Sequence, residues 1–318
     1  MTGQTGMPSA TVSILSYNGE RYLDAILRSL ETQDYSGPIE ILVVDSGSTD
    51  GTLAILAAHP EVRVHRIPNA EFGHGRTRNL VAELARGELV AYLTHDAVPT
   101  GTGWLSALLA PLIDDERIVA VVGKQVARPS ALPLQKYDIA RTFASQGPDY
   151  GVTVTYDHGQ LGESAALETA AFYSDVNSAA RRRVLLEAIP YRDVSYAEDQ
   201  LFARDVLRAG LRKAYAPEAV VEHSNDLTIR ELGRRIQEET HGLQAIGTHI
   251  PPVSIGRMLK QIVRGSIVDA GSIITDRELT AGARLRALFV NPVAHVVKWS
   301  NHRAATLHPT PAQDSNPR

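Results

Sequence analysis

Between residues 10 and 99, short apolar runs alternate with amphipathic segments, and most apolar runs end in polar residues. TVSILSYN precedes ERYLDAILRSLETQ, IEILVVDSGS precedes TDGTLAILAAH, VRVHRI precedes GRTRNLVAELARG, and ELVAYLTHDAVP closes the series. Strand-length apolar runs separated by helices are buried on both faces, so the pattern predicts an α/β fold with a mostly parallel sheet flanked by helices. Gly87 lies just past the third helix, and the fourth strand stops at Pro99. Ligands of such sheets sit at the carboxyl ends of the strands. That rule selects three loops: Tyr17-Asn18, Asp45-Ser46-Gly47-Ser48 and Thr94-His95-Asp96.

Beyond Pro99 the pattern loosens. Residues 130–174 are rich in Gly, Ser and Tyr and read as a long irregular segment, which is usually functional or mobile. SDVNSAARRRVLLEA, YAEDQLFARDVLRAG and the strand-like KAYAPEAVVEHSN follow. Residues 227–308 read as a predominantly helical region after a domain spanning 10–226, and 1–9 and 309–318 as disordered termini.

Several side chains in this frame have metal-binding or acid–base chemistry. Asp96 ends a strand, where one carboxylate can hold Mg²⁺ or Mn²⁺ whose other ligands are phosphate and water; an Asp there can also just cap a turn. His95 falls on the opposite face if the strand continues. His223 ends AVVEHSN, and imidazole suits Mn²⁺ better than Mg²⁺, although a lone His is more often structural. Glu198 and Asp199 open a helix with apolar spacing at Leu201, Phe202, Val206 and Leu207. They are either dipole partners of that helix or carboxylates aimed out of its end into a cleft. Arg76, Arg78 and Asn79 open another helix, a place suited to anions or to a solvated basic face. No Walker or GxGxxG motif is present.

Composition narrows the partners. With no cysteine, disulfides, thiolate zinc sites and cysteine nucleophiles are excluded. A net charge of -4 argues against nucleic acid as a partner. No apolar run reaches the roughly 18–20 residues of a transmembrane helix. MTGQTGMPSA lacks a signal-peptide layout, so the expected location is the cytoplasm, with the inner face of the cell membrane as a further station.

Taken in order, SILSYN, ILVVDSGSTDGT, GRTRN, LTHDAVP, SDVNSA, YAEDQLFARDVLRAG and YAPEAVVEHS resemble the family-2 glycosyltransferases of the nucleotide-diphospho-sugar (GT-A) fold, over about residues 11–225. The resemblance implies that Ser16, Tyr17, Asn18, Asp45, Ser46, Arg78, Thr94, His95 and Asp96 bind the nucleotide sugar, with Asp45 and Arg78 at the base. It implies that Asp96 and His223 hold the metal and that Asp199, with Glu198 beside it, is the catalytic base. Two departures from the family pattern stand out. Asp45-Ser46 replaces an acidic pair, and the DxD motif is reduced to Thr94-His95-Asp96. Both are similar to the bacterial rhamnosyltransferase branch, in which a GKQ-like stretch also occurs, here Gly123-Lys124-Gln125. That likeness implies a dTDP-β-L-rhamnose donor.

The expected reaction is inverting transfer of a sugar to a hydroxyl of a cell-envelope glycan or lipid-linked acceptor. It requires a base for the hydroxyl proton and positive charge for the diphosphate leaving group. UDP- or GDP-sugars are the alternative donors. A nucleotidyltransferase or a non-catalytic nucleotide-sugar-binding protein is the alternative class, although SYNGERYL lacks the Gly-rich loop of the former. Residues 226–303 carry 11 Lys/Arg against 7 Asp/Glu. IGRMLKQIVRG places Ile255, Met258, Leu259, Ile262 and Val263 on one helical face, and ARLRALFVNPVAHVVKW again mixes apolar and basic residues. Such faces pack on the catalytic domain, join two copies as a homodimer, or make peripheral contact with an anionic membrane.

Overall fold

The computed structural model describes residues 6–157, 159, 165–225 and 227–308. Among the described residues, nine strands form one sheet: β1 Ala10–Ser16, β2 Ile39–Asp45, β3 Arg63–Arg66, β4 Leu89–Thr94, β5 Val98–Pro99, β6 Ile118–Val126, β7 Thr153–Thr155, β8 Asn177–Arg181 and β9 Arg212–Glu222. The order is β3-β2-β1-β4-β8-β6-β9-β5, with β7 also paired to β9. The expected parallel arrangement holds through β3, β2, β1 and β4. β8, the SDVNSA segment, then runs antiparallel to both β4 and β6, while β6 and β9 are parallel.

Side-chain alternation along the strands divides the interior in two. Leu89, Ala91 and Leu93 of β4 face the helices α1 (Leu23–Glu31) and α4 (Trp104–Asp114). Val90 and Tyr92 face the opposite layer, with α3 (His74–Leu84) and α8 (Glu198–Arg208). Strands covered on both sides cannot show polar–apolar alternation, which is why their sequences read as continuous apolar runs. α1 buries Leu23, Ile26, Leu27 and Leu30. Each contributes about 1.5–3 kcal/mol.

The middle segment is more regular than its composition indicates. It holds α5 (Pro133–Ala144), β7 and α6 (Ala165–Ala170). Pro133 sits in the first turn of α5, where its missing N–H costs nothing, and Leu134, Tyr137 and Phe143 turn inward. The C-terminal region is helical, as expected: α9 (Ile229–Ala245), α10 (Ile255–Thr275) and α11 (Ala281–Leu307). A capping box of Thr228 and Glu231 starts α9, and Ser254 and Thr280 cap the other two.

α5 joins these helices to the sheet. Leu134 packs with Leu232 and Ala294, and Tyr137 packs with Ile273 and Ala287. Buried Asp269 receives Arg141 at 2.7 Å and His295 at 2.9 Å. At the amino end, the Pro8 carbonyl accepts from the Tyr35 hydroxyl and the Ser9 N–H donates to Glu88, while residues 1–5 lie outside the described residues. Residues 309–318 lie outside the described residues. Among the described residues, no helix is long and apolar enough to cross a membrane.

Candidate functional site

The carboxyl ends of β1, β2, β4 and β9 meet at a cavity of about 540 Å³, a volume suited to a small-molecule ligand. Ser16, Tyr17, Ser46, Thr94, His95, Asp96, Glu198, Asp199 and His223 all line it. The loops anticipated from the strand ends therefore converge. β4 ends at Thr94, so strand alternation no longer applies and His95 faces the cavity instead of the opposite side. The Ser16 hydroxyl is buried and has no hydrogen-bond partner among the described residues, leaving a polar atom available to a ligand.

Asn18 and Asp45, both expected at the nucleotide, hold the loops beside the cavity together. Asn18 adopts a left-handed φ of 52°, which Asn tolerates. Its N–H donates to Ser48 Oγ at 2.9 Å and its Oδ1 accepts from the Thr49 N–H at 2.8 Å, lacing the first loop to the second. Asp45 is wholly buried, and both its carboxylate oxygens accept from the Ser48 N–H, at 3.0 and 3.2 Å. These residues shape the wall, while Ser46 lines it with its hydroxyl donating to the Ser16 carbonyl at 3.1 Å.

Asp96 and His223 come together from separate elements, with His223 Nε2 3.4 Å from Asp96 Oδ2. Donors on one divalent ion at about 2.0–2.2 Å stand roughly 3 Å apart, so the pair fits two neighbouring ligands of Mg²⁺ or Mn²⁺. His223 Nδ1 faces Gln125 Oε1 at 3.1 Å, and Gln125 Nε2 donates to Ser174 Oγ at 3.0 Å. Gln125 thereby holds the imidazole with Nε2 turned toward Asp96. Burial pushes the Asp96 carboxyl up, but hydrogen bonding to His223 and the nearby His95 outweigh it, so the group is held below the usual carboxylate range. Buried Arg128 donates to the backbone carbonyls of Asp96 and Ser224, tying the two ends of this pair together. The sequence shows Arg128 only as an isolated cation.

The second polar centre is acidic. Asp175, Glu198 and Asp199 lie close enough for their carboxylate oxygens to fall within 4.8 Å of one another. Ala197 enters α8 with a left-handed φ of 56°, a strained conformation immediately before the Glu198-Asp199 pair. Glu198 is buried and receives Arg78 Nη1 at 2.6 Å; Arg78 Nε lies 2.8 Å from Asp175. Asp175 also accepts from Ser178 at 2.5 Å and Tyr191 at 3.0 Å. Asp199 is only half-buried; its carboxylate accepts the Gln200 N–H at 2.8 Å and the Asp175 N–H at 3.4 Å. Burial, then the neighbouring Glu198 and Asp175, push its carboxyl well above the ordinary value, with Arg78 opposing them.

Arg78, expected at the nucleotide base, lines the cavity, and its guanidinium pairs with the acids, because burial leaves no water to stabilise either sign alone. Arg78→Gln should cost about 3–5 kcal/mol of stability by leaving buried carboxylates without their cation. It should also move the acid limb of activity to higher pH, since losing a positive neighbour raises a carboxyl pKa. Urea unfolding and a pH–rate profile check both; an unchanged midpoint and limb would show that the pairs do not organise the acids.

The rest of the GHGRTRN segment works as a latch. Arg76 pairs with Asp193 at 3.1 Å, and the Asn79 amide bonds both the N–H and the carbonyl of Tyr191. A Cβ on Gly75 would stand 2.0 Å from the Arg192 carbonyl oxygen, so only glycine permits that approach. His74 lines the cavity, and burial with Arg78 and Arg235 nearby pushes its pKa down to about 4. α9 closes the cavity on one side. Arg235 lines it while bonded to Glu239 at 3.0 Å, and Gly242 leaves room for Tyr196, which would be 2.4 Å from a Cβ there. An Arg–Glu pair at i,i+4 reads in sequence as a solvated face, so Arg235 gave no signal.

The glycosyl transferase family 2 model matches residues 11–187. The O-antigen chain rhamnosyltransferase RfbN of Salmonella typhimurium is 31% identical over 223 residues, 70% of this chain and 68% of that protein. WbaN of Salmonella anatum, also an O-antigen chain rhamnosyltransferase, is 31% identical over 230 residues, 71% and 69% of the two chains. Among solved structures, the mannosyltransferase PcManGT from Pyrobaculum calidifontis, in complex with GDP-Man and Mn²⁺, superposes with a TM-score of 0.54 at 21% identity, covering 93% of this chain and 88% of that one. The last likeness bears on the fold alone.

Proposed function

The chain belongs to glycosyl transferase family 2, and from that premise we propose that it transfers L-rhamnose from dTDP-β-L-rhamnose to a hydroxyl of a cell-envelope glycan or lipid-linked acceptor, with inversion. The observation that carries the reading is the convergence of the Asp96–His223 pair and the raised Asp199 carboxyl on one cavity. A divalent ion held by Asp96 and His223 would supply positive charge for the departing diphosphate. Mn²⁺ suits this mixed carboxylate–imidazole pair better than Mg²⁺ does, and Mn²⁺ accompanies the donor in the mannosyltransferase neighbour.

Asp199 is the base. It is the half-buried member of the acidic group, and its raised pKa brings it closer to working pH, where proton transfer is most effective. Glu198 is held by Arg78 and serves to position it. The acceptor hydroxyl then lies next to Asp199, near Tyr196, which also lines the cavity.

Two rhamnosyltransferase relatives and the Asp45-Ser46 loop support the donor assignment. Ser46 offers no carboxylate, and its hydroxyl already donates to Ser16, so a uracil site built from two acids is absent. Titration calorimetry with Mn²⁺ should give dTDP tighter binding than UDP or GDP. The reverse order would remove the rhamnosyl assignment and leave the family membership standing.

A further inference from the structure

The C-terminal helices bury only part of their apolar surface. In α10, Ile273 is wholly buried against Tyr137 and Ala287, and Met258 and Ile262 are half-buried. Leu259, Val263, Ile267 and Ile274 remain exposed, from 54% at Leu259 to 67% at Ile267. Leu259, Val263, Ile267 and Val268 lie together on one open surface with Lys260 and Arg264. α11 adds Leu285, Phe289, Val293 and Val296, which share one side by their spacing, with Phe289 72% exposed. Apolar surface on this scale marks an interaction site.

The charge around this surface has one sign. Arg257, Lys260, Arg264 and Arg286 are exposed, and among the described residues none of them pairs with an acid. Residues 255–307 contain three acids: Asp269, Asp276 and Glu278. Asp269 is buried with Arg141 and His295, and Asp276 and Glu278 are both held by Lys136. The exposed face of these helices therefore offers apolar side chains and unpaired cations, while each acid described in 255–307 is already paired.

We propose that this face of α10 and α11 docks on a membrane surface bearing anionic headgroups. The aliphatic side chains enter the boundary between headgroups and acyl chains, and the cations meet lipid phosphates. Because neither helix is apolar enough to cross a bilayer, both lie along the surface. A second copy of the chain fits less well. A two-fold contact sets the same patch against itself, which brings its unpaired cations close to one another.

Flotation of the full chain with vesicles tests the proposal. The chain should float with vesicles of equal parts phosphatidylglycerol and phosphatidylcholine, and weakly with phosphatidylcholine alone. High salt should release it. Replacing Arg257, Lys260 and Arg264 by Gln should lower partitioning by about fivefold per cation. The pair Ile267→Glu and Phe289→Glu should abolish flotation while leaving the unfolding midpoint and nucleotide binding unchanged, since both side chains are exposed and lie outside the cavity lining. The proposal is overturned if the chain fails to float with anionic vesicles or floats equally with neutral ones. A solution dimer that the Glu pair dissociates would also overturn it and assign the face to a second copy.

Discussion

Asp199→Asn is expected to lower sugar transfer by about 10²–10⁴-fold while nucleotide binding stays within a few-fold of the native protein. The amide keeps the shape and can still accept the Gln200 N–H through its oxygen, but it cannot take a proton from the acceptor. The native enzyme's rate should rise with pH through a limb above the ordinary carboxylate range, because burial and the Glu198 and Asp175 charges raise the Asp199 pKa and only the ionised form is a base. In Asp199→Asn that limb should vanish. Full turnover in the variant would move the base to Glu198, which would then have to act while bound by Arg78.

Asp96→Ala should also abolish transfer, by a different route. Asp96 is the single acid of its loop and faces His223 at 3.4 Å, so its loss leaves one imidazole to hold the ion. Metal stabilisation of a leaving group is worth several kcal/mol, so a loss on the order of 10²-fold or more follows. Nucleotide-diphosphate affinity in the variant should no longer respond to added Mn²⁺. Retained metal-dependent binding would relocate the ion, and the acidic group of Asp175, Glu198 and Asp199 is the next place to look.

Most of the fold and the frame of the site could be read from the sequence. Apolar runs with polar ends located the three strand termini around the cavity, and the order of the motifs brought Asp199 and His223 to the same place. What stayed hidden depended on tertiary contacts. β8 pairs antiparallel, which its five residues do not indicate. α5 is concealed by a neighbourhood rich in Gly and Ser. Asp175 sits in a quoted motif, yet its place in the site follows only from its pairing with Arg78, which sequence does not show. Gln125 acts through His223, 98 residues away in sequence. No local spacing encodes such a partnership.

The claim that a metal-dependent donor site lies at the Asp96–His223 pair is open to one direct measurement. The full chain is incubated with dTDP-β-L-rhamnose, UDP-sugars and GDP-sugars, with Mn²⁺ or with a chelator, and the phosphate-containing products are resolved by ³¹P NMR. The expected result is release of a nucleoside diphosphate, dTDP foremost, in the presence of Mn²⁺ and none with the chelator. Release unaffected by the chelator, formation of a nucleoside triphosphate when pyrophosphate is added, or no turnover and no binding of any donor would contradict it.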